Sequence, residues 1–143
     1  MELLQHFLLI DDNVADQMLA EEAFHQLCPE CTLTCVSDGA TALDMLRARV
    51  IQPDVILLDI NMPGMNGFEV LHALKADPEM ALLPVVMLST SNAQEDVRQA
   101  YTLHASSYLV KAGDFSHFLQ QIDQFLGFWQ KSRIAHGSAG KQR

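Results

Sequence analysis

The chain has 143 residues, enough for one domain with a substantial core, and its 49% apolar and 19% charged residues are ordinary for a globular protein. No stretch approaches the roughly 18 apolar residues of a membrane span, and Met1-Glu2-Leu3-Leu4-Gln5-His6 lacks the basic opening of a signal peptide, so a cytoplasmic location is expected. Net charge is −9, and all 18 acidic residues lie within 1–130 beside only Arg47, Arg49, Lys75, Arg98 and Lys111; so acidic a body argues against a nucleic-acid partner.

Phe7-Leu8-Leu9-Ile10 is the first of five short apolar runs. The others are Leu33 to Val36, Val55-Ile56-Leu57-Leu58, Val85-Val86-Met87-Leu88 and Tyr108-Leu109-Val110. The first, third and fourth are apolar at every position, as in parallel strands covered on both faces. Helical spacing separates the runs. Leu19, Ala23 and Leu27 recur at steps of four, followed by Leu43, Leu46 and Val50, then by Phe68, Leu71 and Leu74. Val97, Ala100, Tyr101 and His104 form a fourth set, and Phe115, Phe118, Leu119, Ile122, Phe125, Leu126 and Trp129 form a continuous last stripe. Five strands alternating with five helices predict a doubly wound α/β domain over 1–130. Residues 131–143, basic and containing His136-Gly137-Ser138-Ala139-Gly140, read as a flexible basic tail.

Cys28, Cys31 and Cys35 read as ordinary packing cysteines in a reducing compartment. A redox Cys-x-x-Cys pair belongs where a strand enters a helix, whereas this one follows a helix and precedes a strand.

The chemistry gathers at the ends of the runs. The first stops at Asp11-Asp12, the third at Asp59, the fourth at Ser89-Thr90 and the fifth at Lys111. Strand C-termini of an open parallel sheet share one edge, where ligands bind. The second run instead ends at Ser37-Asp38-Gly39, a helix cap expected at the sheet's edge. Clustered carboxylates repel one another, and a hard divalent cation such as magnesium resolves the conflict. A carboxylate can also carry a phosphoryl group, which an ammonium would meet as a point charge.

The spaced set Asp11-Asp12, Asp59, Ser89 and Lys111 resembles that of the response-regulator receiver family of two-component signalling. The loop Asp59-Ile60-Asn61-Met62-Pro63-Gly64-Met65-Asn66-Gly67 is similar to that family's phosphorylation loop. The resemblance covers about residues 6–130. It implies a flavodoxin-like sheet of order 2-1-3-4-5 and a phosphoacceptor signalling protein rather than an enzyme. Asp59 would accept the phosphoryl group, and Asp12 and Asp59 would supply carboxylates to Mg2+. Asp11 would act through a metal-bound water, Asn61 through its backbone carbonyl, and Lys111 and Ser89 on the phosphoryl group. Tyr108 matches the family's aromatic switch. Ala112 departs from the proline that usually follows the lysine.

Leu88-Ser89-Thr90-Ser91-Asn92, Tyr101-Thr102-Leu103-His104, Ser107-Tyr108-Leu109-Val110-Lys111 and Phe128-Trp129 resemble single-domain receivers that partner bacterial phytochromes. That implies a light-regulated histidine kinase as phosphodonor. It also implies a homodimer through the face built from the fourth helix, fifth strand and fifth helix. Seven large apolar residues on the last helix exceed what a sheet-facing stripe needs, so the outermost (Phe125, Phe128 or Trp129) either reach a partner chain or pack on their own sheet. Two other classes fit less well. An aspartate-nucleophile phosphatase wants a second Asp where Asn61 stands, and a flavodoxin-like electron carrier wants a hydroxyl-rich phosphate loop where Asp11-Asp12 would repel the flavin phosphate.

Overall fold

A computed structural model describes the backbone of residues 6–141 and the side chains of residues 6–130. Strands β1 (His6–Ile10), β2 (Thr32–Val36), β3 (Val55–Leu58), β4 (Val85–Ser89) and β5 (Ser107–Val110) alternate with helices α1 (Val14–Leu27), α2 (Gly39–Arg47), α3 (Gly67–Ala76), α4 (Gln94–Thr102) and α5 (Phe115–Lys141). All neighbours in the sheet are parallel, and the order is β2-β1-β3-β4-β5. The expected doubly wound fold is therefore the observed one, with β2 at an edge.

The uninterrupted apolar character of β1, β3 and β4 has a direct cause. Side chains alternate between the sheet's faces, and each face meets a helical layer. Leu8, Ile10, Ile56, Leu58, Val85 and Met87 enter one core with residues of α2, α3 and α4. Phe7, Leu9, Val55, Leu57, Val86 and Leu88 enter the other with residues of α1 and α5. Each fully buried large aliphatic side chain is worth about 1.5–3 kcal/mol relative to exposure.

Helix starts are fixed locally, and those starts set the loops that bear the site. Asn13 caps α1 by accepting from the Asp16 amide, and Asp38 caps α2 by accepting from the Thr41 amide. Asn66 and Glu69 form a reciprocal capping box at α3, each side chain accepting from the other's backbone at 3.0 Å. The α1 helix thus begins two residues past the carboxylates that end β1, and the loop from β3 to α3 is anchored at its far end.

The structure changes several expectations. On α1 the buried line is Ala20, Ala23 and Phe24, and Leu19 is exposed. Val50 lies beyond the end of α2 and is exposed; Tyr101 is half-exposed because Ala100 takes the inward position on α4. His104 falls past α4 with φ of 69°, in the turn that leads to β5. Cys28 and Cys31 are joined as a disulfide between the end of α1 and the start of β2, so the expectation of three packing thiols holds only for Cys35. The backbone of α5 is helical through Lys141 with no break at 130, and the side chains from 131 onward lie outside the described residues. Among the described residues no helix is long and apolar enough to cross a membrane.

Candidate functional site

Parallel register brings the carboxyl ends of the central strands level. Ile10 pairs with Leu58, Leu58 with Met87 and Ser89 with Val110, so the next residues along β1, β3 and β5 emerge on one edge. The Asp59 amide donates to the Ile10 carbonyl at 2.9 Å, and the Lys111 amide to the Ser89 carbonyl at 2.8 Å. Both residues are thereby aimed by the ladder itself.

Asp11, Asp12 and Asp59 each present a carboxylate oxygen within 4.8 Å of the others. Asp11 is fully buried and engaged by both oxygens: Oδ1 accepts from the Asn13 amide at 2.9 Å and Oδ2 from Lys111 Nζ at 2.8 Å. Asp12 is the more exposed member. Asp59 is 7% exposed. Burial pushes its carboxyl up to about 6; Lys111 opposes that rise, while Asp11 adds to it, the Ile60 amide opposes it, and Asp12 adds a little more. Burial alone would lower the Lys111 ammonium, but its bonds to Asp11 and Asp16 hold it above its ordinary value. Lys111 Nζ lies 3.8 Å from Asp59 Oδ1.

Asp59 opens the loop that ends at Gly67, whose amide donates to the Ile60 carbonyl at 2.8 Å. A Cβ at Gly67 would run into the carbonyl of Asp59 and come 2.8 Å from the Ile60 Cα, so only glycine permits this approach. Gly64 has φ of 73°, the other turn of that loop that favours glycine. Asn61 sits two residues past Asp59 and is exposed.

Ser89 ends β4 and is fully buried. Its Oγ accepts from the Ser91 amide at 3.2 Å, and the Ser91 carbonyl accepts from the Tyr108 hydroxyl at 2.7 Å. Ser91 Oγ donates to Asp96 Oδ2 at 2.6 Å, a contact that holds the first turn of α4 because Ala93 provides no side-chain cap. The half-buried Tyr108 ring packs against the α2–α4 core.

The residues expected at the sheet edge are thus brought together there, with Tyr108 connected to Ser89 through Ser91. Three participants were not foreseen. Asp16 Oδ2 accepts from Lys111 Nζ at 2.7 Å. Gln121 on α5 accepts from the Ala112 amide at 2.9 Å and donates to the Val110 carbonyl at 2.6 Å. Ser91 makes the third. An Asp in a helix's first turn and a Gln on a helix flank both read in sequence as solvated positions, so nothing marked them. Peptide bonds among the described residues are all trans, Lys111-Ala112 included.

Three acidic side chains and a lysine at the carboxyl edge of a β2-β1-β3-β4-β5 sheet define the receiver class of α/β domain. The chain belongs to the response regulator receiver domain family, whose model matches residues 7–123. It is 32% identical over 127 residues to the response regulator Rcp1 of a Synechocystis species, covering 85% of this chain and 86% of that one. It is 35% identical over 126 residues to a probable methanogenesis regulatory protein, FilR2, of Methanothrix harundinacea, covering 85% and 81%. Among solved structures it resembles the phosphorylated cyanobacterial phytochrome response regulator RcpA, with a TM-score of 0.82, 36% identity and coverage of 87% and 94%. Rcp1 in its Mn2+-bound form matches with a TM-score of 0.80, 32% identity and coverage of 87% and 93%. Receiver-domain response regulators are generally signalling proteins rather than enzymes.

Proposed function

We propose that the protein accepts a phosphoryl group on Asp59 from a sensor histidine kinase and signals through the resulting change of shape. The observation that carries this reading is Lys111 Nζ poised 3.8 Å from a buried Asp59 that is clustered with Asp11 and Asp12. At neutral pH a carboxyl near 6 is mostly ionised, so an Asp59 oxygen is available as nucleophile. It attacks the phosphorus of a phosphohistidine or a small acyl phosphate; the new O–P bond forms as the bond to imidazole or acetate breaks, and the leaving group carries its electron pair away. Lys111 meets the charge of the transferred group, and Ser89 donates to one of its oxygens.

The donor set suits a hard divalent cation: three carboxylates crowded in a partly desolvated pocket carry more negative charge than Lys111 balances. Asp12 and Asp59 would hold Mg2+, with Asp11 acting through a bound water and Asn61 through its carbonyl. The ion supplies neutralisation of the carboxylates and of the incoming phosphoryl charge.

When Ser89 turns toward the phosphoryl group, it gives up its bond from Ser91, and Tyr108 is tied to that same residue. A two-state shift of α4 and β5 follows from this connection. The likeness to Rcp1 and RcpA supports a bacterial phytochrome as the kinase partner. The receiver occupies 1–130 with a basic tail over 131–143, acts in the cytoplasm, binds no nucleic acid or membrane, and forms a homodimer through the α4/β5/α5 face. For that dimer the exposed Phe128 is the apolar contact on α5, since Phe125 is buried and Trp129 packs on the chain's own core.

The test is incubation with acetyl phosphate and magnesium, read by intact mass. A gain of about 80 Da is expected from aspartyl-phosphate chemistry. The same gain in Asp59→Asn would sink the assignment.

A further inference from the structure

Lys111 stands where β5 ends and the loop to α5 begins, and a lysine there has a long, flexible stem to control. Its ammonium carries three N–H donors and no acceptor. Asp11 and Asp16 accept two of them, at 2.8 and 2.7 Å. Asp59 Oδ1, at 3.8 Å, is beyond hydrogen-bond reach, so one donor stays uncommitted beside it. Asp16 comes from the first turn of α1, 95 residues away in sequence.

The backbone at Lys111 is held from the opposite side. Gln121 on α5 donates through Nε2 to the Val110 carbonyl and accepts through Oε1 from the Ala112 amide. These are the peptide groups on either side of Lys111, the first of which also makes the last ladder bond, from the Lys111 amide to the Ser89 carbonyl. One amide side chain thus closes both, and it can do so only because residue 112 keeps an N–H.

We infer that Asp16 and Gln121 are positioning residues for Lys111: Gln121 fixes the loop from which the lysine springs, and Asp16 fixes the ammonium with its third donor free for a phosphoryl oxygen on Asp59. Neither residue has a hydrogen bond to Asp59, so both act through the lysine. The inference rests on the phosphoacceptor reading of Asp59.

The experiment compares Asp16→Ala and Gln121→Ala, each in the wild-type and in the Lys111→Ala background. The rate of Asp59 phosphorylation by acetyl phosphate with magnesium is read by intact mass, beside thermal unfolding of each variant. Loss of a positioning hydrogen bond slows the rate about three- to tenfold. In the Lys111→Ala background the same changes should move it by less than about twofold, since the pair is then already uncoupled. Gln121→Glu, which keeps the acceptor for the Ala112 amide, should recover part of the rate. Slowing that persists undiminished without Lys111, an unchanged rate, or an accelerated one would overturn the inference.

Amide hydrogen exchange at Ala112, followed without any phosphodonor, tests the clamp separately. It should accelerate in Gln121→Ala, and unaltered exchange would remove the clamp. Failure of the wild-type protein to take up phosphoryl on Asp59 would instead count against the proposed function.

Discussion

The hydroxyl of Tyr108 donates to the carbonyl of Ser91 across 2.7 Å, and the Ser91 amide donates in turn to Ser89 Oγ. A strand aromatic and a strand-end hydroxyl on adjacent strands therefore share one loop residue. Removing the hydroxyl in Tyr108→Phe should cost about 0.5–1.5 kcal/mol, the net worth of a neutral hydrogen bond. Chemical denaturation measures this. Because the ring itself packs on the core, the apolar contact should survive, and the larger change should be a shifted amide resonance at Ser91. A Ser91 resonance identical to wild type would show that the bond contributes nothing in solution.

The pH dependence of stability should report Asp59. Its carboxyl is raised from 3.8 to about 6 in the fold, so folding favours the protonated form. That contribution is fully present below about 3.8 and is lost as pH rises through about 6. Without divalent metal, ionising Asp59 in the folded state therefore costs stability, up to about 3 kcal/mol for a two-unit shift. Asp59→Asn should be more stable than wild type at pH 7.5, with an advantage that shrinks as the pH is taken from 6 down to 4. Urea denaturation at each pH measures the difference. An advantage independent of pH would show that the carboxyl is not perturbed.

How much of this was legible in the residues follows from the kind of signal each one carries. Leu57 is inside because β3 is apolar throughout, and a strand covered on both faces permits no other pattern. Asp11, Asp59 and Lys111 were legible because each directly follows such a run, and parallel register does the rest. Leu19 misled because steps of four fit several faces of α1, and only packing against β1 and α5 selects the face of Ala20 and Phe24. Asp16 and Gln121 were illegible for a different reason. Their partners are 95 and 11 residues or fewer away in sequence, and each bond depends on a side chain's reach across the fold rather than on any spacing. Even the disulfide was hidden, since Cys28-Pro29-Glu30-Cys31 lies in the opposite order to the familiar redox arrangement.

Cys35 should be a slow nucleophile. Burial, then the charges of Glu21 and Asp11, push its thiol up to about 11 from 9. Two units lower the thiolate fraction about a hundredfold at pH 8, and the thiolate is the reacting form. Iodoacetamide at pH 8 should therefore label Cys35 far more slowly in the native protein than in urea, as peptide mass mapping would record. Equal rates in the two conditions would show that the site is open and unperturbed.

Two glycines of the β3–α3 loop separate strain from collision. At Gly64 nothing lies within 4 Å of a new Cβ, and the only obstacle to Gly64→Ala is φ of 73°, worth about 1–2 kcal/mol. At Gly67 a Cβ meets the Asp59 carbonyl and the Ile60 Cα, which are backbone and cannot swing aside. Gly67→Ala should lose about 1–3 kcal/mol through overpacking. It should also displace the Asp59–Ile60 peptide, which directly follows the Asp59 side chain. The two variants should thus differ in kind: both destabilised in urea, but only Gly67→Ala strongly slowed in phosphorylation by acetyl phosphate once stability is matched by lowering the temperature. Equal rates for the pair would mean that the close approach of Gly67 to Asp59 serves the packing of α3 alone.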